Sequence, residues 1–227
     1  MKTLLGQYKE VLERKEFQAE NAEYGHMLCV PSDNPKGKIL FTGINPSLGE
    51  GGEQDNVPFK LFSGNFWKPV IDLAGNLVND IAYIDLFPLR KTKQDKFEQL
   101  GHNFKGRILE VTQKEIERLE PKLIVVLNAG SKHYWGPEGW MGYSFEETSF
   151  EPVHGRLLYK ITGFNPDCKD RINPELTKSH LEGTYIYFYR MLSSRYEKNL
   201  SPADRLSHKD IDNLWSWVKK HTPSLVQ

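Results

Sequence analysis

The chain has 227 residues, enough for one substantial core, and its 38% hydrophobic and 26% charged content is that of an ordinary globular domain. Lys+Arg and Asp+Glu both number 30, which excludes a global basic field, so any nucleic-acid contact must come from a local patch. Two cysteines, Cys29 and Cys168, exclude a disulfide framework and a Cys-rich metal site. No segment is apolar over the length of a membrane span, and Met1–Gly6 gives way to charges rather than to an apolar signal core. The expectation is a cytoplasmic protein with no membrane partner.

In chain order, residues 3–20 read as a polar helix with Leu4, Leu5, Tyr8, Val11 and Leu12 on one side. A Pro/Asp/Gly-rich turn over 31–37 leads into Ile39-Leu40-Phe41, a short apolar run of the kind a strand buried on both faces carries. Gly43-Ile44-Asn45-Pro46-Ser47 follows. Gly43 opens backbone angles closed to other residues, and Pro46 stiffens the turn on which Asn45 sits. Read alone, this is equally an Asx-Pro turn, but the carboxyl end of a strand is where open α/β sheets bind ligands.

A glycine-rich loop over 49–55 precedes Val57-Pro58-Phe59, and 65–75 reads as a short helix with Gly75 past its end. Residues 81–87 form a second strand, stopped by Pro88. Phe104, Ile108, Thr112, Ile116 and Leu119 mark an amphipathic helix over 104–120. Leu123–Leu127 is the clearest buried strand, and 157–162 is a fourth, followed by a polar loop over 163–174. The spacing of Leu181, Tyr185, Phe188 and Leu192 predicts a helix over 175–194. Ser207 and Asp210 open a last amphipathic helix bearing Leu214, Trp215 and Val218. Alternating strands and helices imply a three-layer α/β/α sandwich around a central, mostly four-stranded parallel sheet. One domain should cover 1–194, with 195–227 as a C-terminal helical extension packed on it.

Gly43-Ile-Asn-Pro-Ser-Leu-Gly49, Val57-Pro-Phe59 and Gly64-Asn-Phe-Trp-Lys68 together resemble the first motif of the uracil-DNA glycosylase superfamily. They are most similar to the mismatch-specific uracil/thymine branch (GINPG…PF…NRFWK) and next to the single-strand-selective branch (GMNPG…VPFG). The resemblance covers about residues 38–192 and implies a glycosylase-like fold. It also implies a monofunctional DNA N-glycosylase, a hydrolase that cleaves the N-glycosidic bond of a flipped, damaged or deaminated base and serves base excision repair. By this resemblance Asn45 positions the attacking water, Phe59 stacks on the base, and backbone amides around Gly43 and Ile44 hold a carbonyl. Ser47 stands where the family has glycine.

The strand 81–87 resembles the one whose end carries a base-reading Asn in several branches, and Asp85 occupies that position here. An ionised Asp only accepts hydrogen bonds and faces uracil O4 unfavourably, whereas a protonated one can donate. Asn165-Pro-Asp-Cys-Lys-Asp-Arg171 resembles the mismatch branch's NPSGLSR loop. That match makes Asn165 a second catalytic candidate, puts Lys169 at the wedge and gives Lys169 and Arg171, with Ser47, DNA contacts. A charged wedge is unusual, since base stacks are pried open by apolar side chains. The reading requires Asn45, Phe59, Asp85 and Asn165 around one cleft at the carboxyl ends of neighbouring parallel strands. No metal or cofactor is implied, the histidines lack metal spacing, and the expected partner is DNA bound by a monomer. Two alternatives stay open: a non-enzymatic nucleic-acid- or partner-binding member of the fold, and a hydrolase of free nucleosides or nucleotides.

Overall fold

A computed structural model describes residues 2–31, 34–36, 38–46, 68–90, 99–136, 139–190, 200–201 and 204–222. Its centre is a six-stranded mixed sheet in the order β2-β1-β3-β6-β5-β4. The strands are β1 Ile39–Gly43, β2 Ile81–Asp85, β3 Leu123–Val126, β4 Tyr143–Glu147, β5 Leu158–Phe164 and β6 Tyr185–Phe188. β2, β1, β3 and β6 run parallel, and every residue of β2, β3 and β6 is buried, as uninterrupted apolar runs between two helical layers should be.

The helices are α1 Leu4–Leu12, α2 Gln18–Tyr24, α3 Lys68–Ala74, α4 His102–Leu119, α5 Lys132–Trp135 and α6 His208–His221. Residues of α1, α2, α4 and α5 share one core with Leu40, Ile84, Ile124, Val126 and Ile186. Residues of α3 and α6 share the other with Ile39, Phe41, Tyr83, Val125 and Tyr187. Helices therefore cover both faces, and the fold is an α/β sandwich. None of the helices among the described residues is long and apolar enough to cross a membrane.

Side-chain chemistry sets the element ends. α4 stops where Glu120 adopts φ 48° and Pro121 follows. α6 opens with the expected capping box, Ser207 accepting from the Asp210 amide and Asp210 accepting from the Ser207 amide. Midway along α4, the Thr112 hydroxyl donates to Leu86 O at 2.8 Å and meets the Tyr8 hydroxyl at 2.7 Å. These bonds lock α1 and α4 to the end of β2.

Two expectations are corrected. The helix expected over 175–194 is not found over 175–190, the part that is described: Tyr185–Phe188 is β6, the fourth parallel strand. Four consecutive buried residues suit a central strand, and their spacing with Leu181 only imitates a helical stripe. Nor is 157–162 a parallel strand. β5 pairs antiparallel with β6, Leu158 opposite Tyr187 and Lys160 opposite Tyr185, and β4 pairs antiparallel with β5. The sheet thus has four parallel strands, one of them other than expected, and an antiparallel hairpin that was not.

Candidate active site

β1 lies between β2 and β3. The chain leaves β1 for β2 through α3 on one face, then returns past β1 to β3 through α4 on the other. Strand order reverses between β1 and β3, and in open α/β sheets the crevice beyond such a point is the ligand site. Gly43, Ile44 and Asn45, at the carboxyl end of β1, border it.

Gly43 and Asp85 are register partners on adjacent parallel strands. Tyr83 precedes Asp85 by two residues and so shares its face. The Tyr83 hydroxyl donates to Asp85 Oδ1 at 2.9 Å, and Asp85 is only 4% exposed. The carboxyl lies over Gly43, where a Cβ would collide with Asp85 Oδ1 and stand 2.7 Å from the Tyr83 hydroxyl. Burial pushes the Asp85 carboxyl up to about 7, with the Tyr83 hydrogen bond pulling the other way. Burial, and then the neighbouring Asp85, raise the Tyr83 phenol well above its ordinary value, so it remains a donor. Asn34 fixes this strand from outside, donating to Tyr83 O at 3.1 Å and accepting from Tyr83 N at 3.0 Å. Nearby, Arg90 reaches Cys29 Sγ at 3.6 Å; burial raises the Cys29 thiol, against the pull of Arg90.

Asn45 is half-buried, and its Nδ2 donates to Pro46 O at 3.3 Å. β1–β2 pairing continues past the strands as far as the turn, through Leu86 N to Gly43 O at 3.1 Å and Phe87 N to Ile44 O at 2.8 Å. The turn bearing Asn45 is therefore tied to the strand end bearing Asp85. Ser47 and Phe59 lie outside the described residues.

Asn165 does not join this group. β5 is antiparallel to β6, so its carboxyl end points toward the amino ends of β1, β2, β3 and β6, away from Asn45. The loop is built as a turn: Asn165 Oδ1 accepts from Asp167 N at 3.1 Å, and Cys168 N donates to Asn165 O at 3.2 Å. Arg171 folds back, its guanidinium 3.9 Å from the Phe164 ring centroid and its Nη2 donating to Pro174 O at 3.3 Å. The loop borders a groove of about 480 Å³ that includes His102, Gly106, Trp140, Cys168 and Ile172. Of the residues expected around one cleft, the structure brings Asn45 and Asp85 together beside Gly43 and Ile44 and leaves Asn165 out, with Lys169 and Arg171 on the same distant loop; Phe59 lies outside the described residues. Tyr83 was overlooked in the sequence, although its place two residues before Asp85 marks it as a neighbour.

Gly43→Ala tests the fit. The added methyl has no room unless the buried Asp85 and Tyr83 side chains give way, so the variant should lose about 1–3 kcal/mol. The paired change Gly43→Ala/Asp85→Ala should recover part of that loss in urea denaturation, because the colliding carboxyl is gone. No rescue would mean that Gly43 and Asp85 do not meet.

Among the described residues no group of three or more His, Cys, Asp and Glu could hold a metal ion. Compared with known proteins, the chain matches no family model and no curated protein.

Proposed function

We propose that this chain is a uracil-DNA glycosylase-like hydrolase that cleaves the N-glycosidic bond of a base held where β1 and β2 end, with DNA as its substrate. The observation that carries the reading is the pairing of the Asn45 turn with a buried Asp85 beside Gly43, at the carboxyl end of β1, which borders the crevice where strand order reverses. The cleft that the full resemblance required is not formed, because Asn165 lies at the other end of the sheet from Asn45; the proposal keeps only the first motif of the resemblance, and the Asn165–Arg171 loop has no part in it. Asn45 orients water by its amide without acting as a strong base. Asp85, with its carboxyl near 7, is part acid and part carboxylate at neutral pH: the acid donates to a carbonyl such as uracil O4, the carboxylate accepts from an exocyclic amine. Glycosylases select a base extruded from the stack by such edge contacts.

Asn45→Ala tests the mechanism. Water placement matters in the transition state, so kcat for base release should fall about 100-fold with KM changed by less than about threefold. A rise in KM alone would assign Asn45 to binding. A second reading, hydrolysis of free nucleosides or nucleotides, is favoured by one observation: Lys169 and Arg171 follow a strand that points away from Asn45. Rates on deoxyuridine and on a uracil-bearing strand separate the two.

A further inference from the structure

Two cations, Arg156 and Lys132, flank Phe188, the last residue of β6, and a third, Arg190, follows it in the chain. Arg156 Nη1 donates to Phe188 O at 3.4 Å, Lys132 Nζ lies 5.6 Å from the Phe188 ring centroid and 5.0 Å from that of Tyr159, and Arg190 follows two residues on. The backbone sets this arrangement. Val153 and Arg156 exchange hydrogen bonds of 3.1 and 2.9 Å around His154 and Gly155, whose φ values of 50° and 67° are those of a primed hairpin turn. Lys132 begins α5, a few residues beyond β3. None of the three forms an ion pair with a carboxylate among the described residues. Asp210, which with Arg156 and Arg190 influences the Tyr187 hydroxyl, is engaged by Ser207 and His154. Arg156 Nε is buried without a hydrogen bond among the described residues.

Cations at one strand end with no carboxylate partner among the described residues are stabilised by an anion placed between them. Arginine also suits phosphate better than any other side chain, because its planar fork donates two bonds together. β6 adjoins β3 and β3 adjoins β1, so the cluster lies at the same end of the sheet as Asn45 and two strand spacings, about 10 Å, to the side. We infer that Lys132, Arg156 and Arg190 form a phosphate-binding rim that holds the backbone of a nucleic-acid strand whose base enters at Asn45 and Asp85. The rim rests on the function proposed above, but its readout is binding rather than base release.

The test is fluorescence anisotropy with a labelled single-stranded oligonucleotide carrying one uracil, from about 50 to 200 mM salt. Lys132→Gln, Arg156→Gln and Arg190→Gln should each weaken binding several-fold and flatten the log–log salt slope by about 0.7 for each phosphate no longer neutralised. Lys169→Gln, beyond the far end of β5, should bind as wild type does. Lys132 is exposed, so Lys132→Gln keeps the test standing even where Arg156→Gln fails to fold. A wild type that does not bind, rim variants that bind as wild type, or an equal weakening in Lys169→Gln would overturn the rim. Rim-dependent binding without base release from any strand would uphold the rim and reject the glycosylase reading. Base release with binding indifferent to all three charges would do the reverse.

Discussion

Replacing Asp85 by Asn should stabilise the protein above pH 7 and abolish the pH dependence of uracil release. The folded-state carboxyl is raised to about 7 by burial, whereas an unfolded Asp titrates near about 3.9. Between those values the folded protein keeps a proton that the unfolded chain has released. Asp85 therefore favours the folded state fully below about pH 4, and that advantage is lost as pH rises through about 7. Three pKa units correspond to on the order of 4 kcal/mol. Asn accepts the Tyr83 hydrogen bond without carrying a charge, so the stability gap between Asp85→Asn and wild type should open across that window and stay constant above it. Uracil release by wild type should fade over the same range as the donor O–H disappears, while Asp85→Asn, a donor at every pH, should hold its rate. Urea denaturation and uracil release measured from about pH 5 to 9 check both. Parallel stability curves would mean that Asp85 is not a buried acid, and strong wild-type release at every pH would remove it from base reading.

Glu117→Ala should be the most destabilising single change outside the site. Glu117, on α4, is 5% exposed and accepts three hydrogen bonds: from the Tyr143 hydroxyl at 2.7 Å, from the Ser179 hydroxyl at 2.8 Å and from His180 N at 2.6 Å. It thereby joins α4 to β4 and to the segment that leads into β6. Truncation leaves donors buried without acceptors at about 1–3 kcal/mol each, so a total of about 4 kcal/mol is expected. For a domain of this size that lowers Tm by roughly 8–16 °C. Glu117→Gln, which keeps the shape but turns one acceptor into a donor, should lie between. An unchanged melting temperature in Glu117→Ala would show that this junction adds nothing to stability.

β1, β2 and β3 were legible because each is a short apolar run beside turn residues, and Ser207 with Asp210 announced α6 through its capping box. Tyr185–Phe188 was not, since a buried strand of four residues has no alternation and its neighbours at 181 and 192 complete a helical period. Tyr143–Glu147 alternates only weakly, and its strand character comes from pairing with β5 rather than from composition. That hairpin explains the larger misjudgement. Asn165 resembles a motif residue in sequence, but strand direction is a long-range property, and an antiparallel β5 sends it away from Asn45. Asn45 and Asp85 were readable because both follow directly from strands whose direction the crossover helices dictate. The protonation of Asp85 was not, since it depends on burial against Gly43 and Tyr83.

The most direct test of the proposed function is incubation of single- and double-stranded oligonucleotides bearing deaminated or damaged bases with wild type and with Asn45→Ala, followed by alkaline cleavage. Wild type should cut the uracil-bearing strand near about pH 6, where Asp85 is protonated, and Asn45→Ala should leave it almost intact. No cleavage of any strand by wild type, or equal cleavage by Asn45→Ala, would contradict the account.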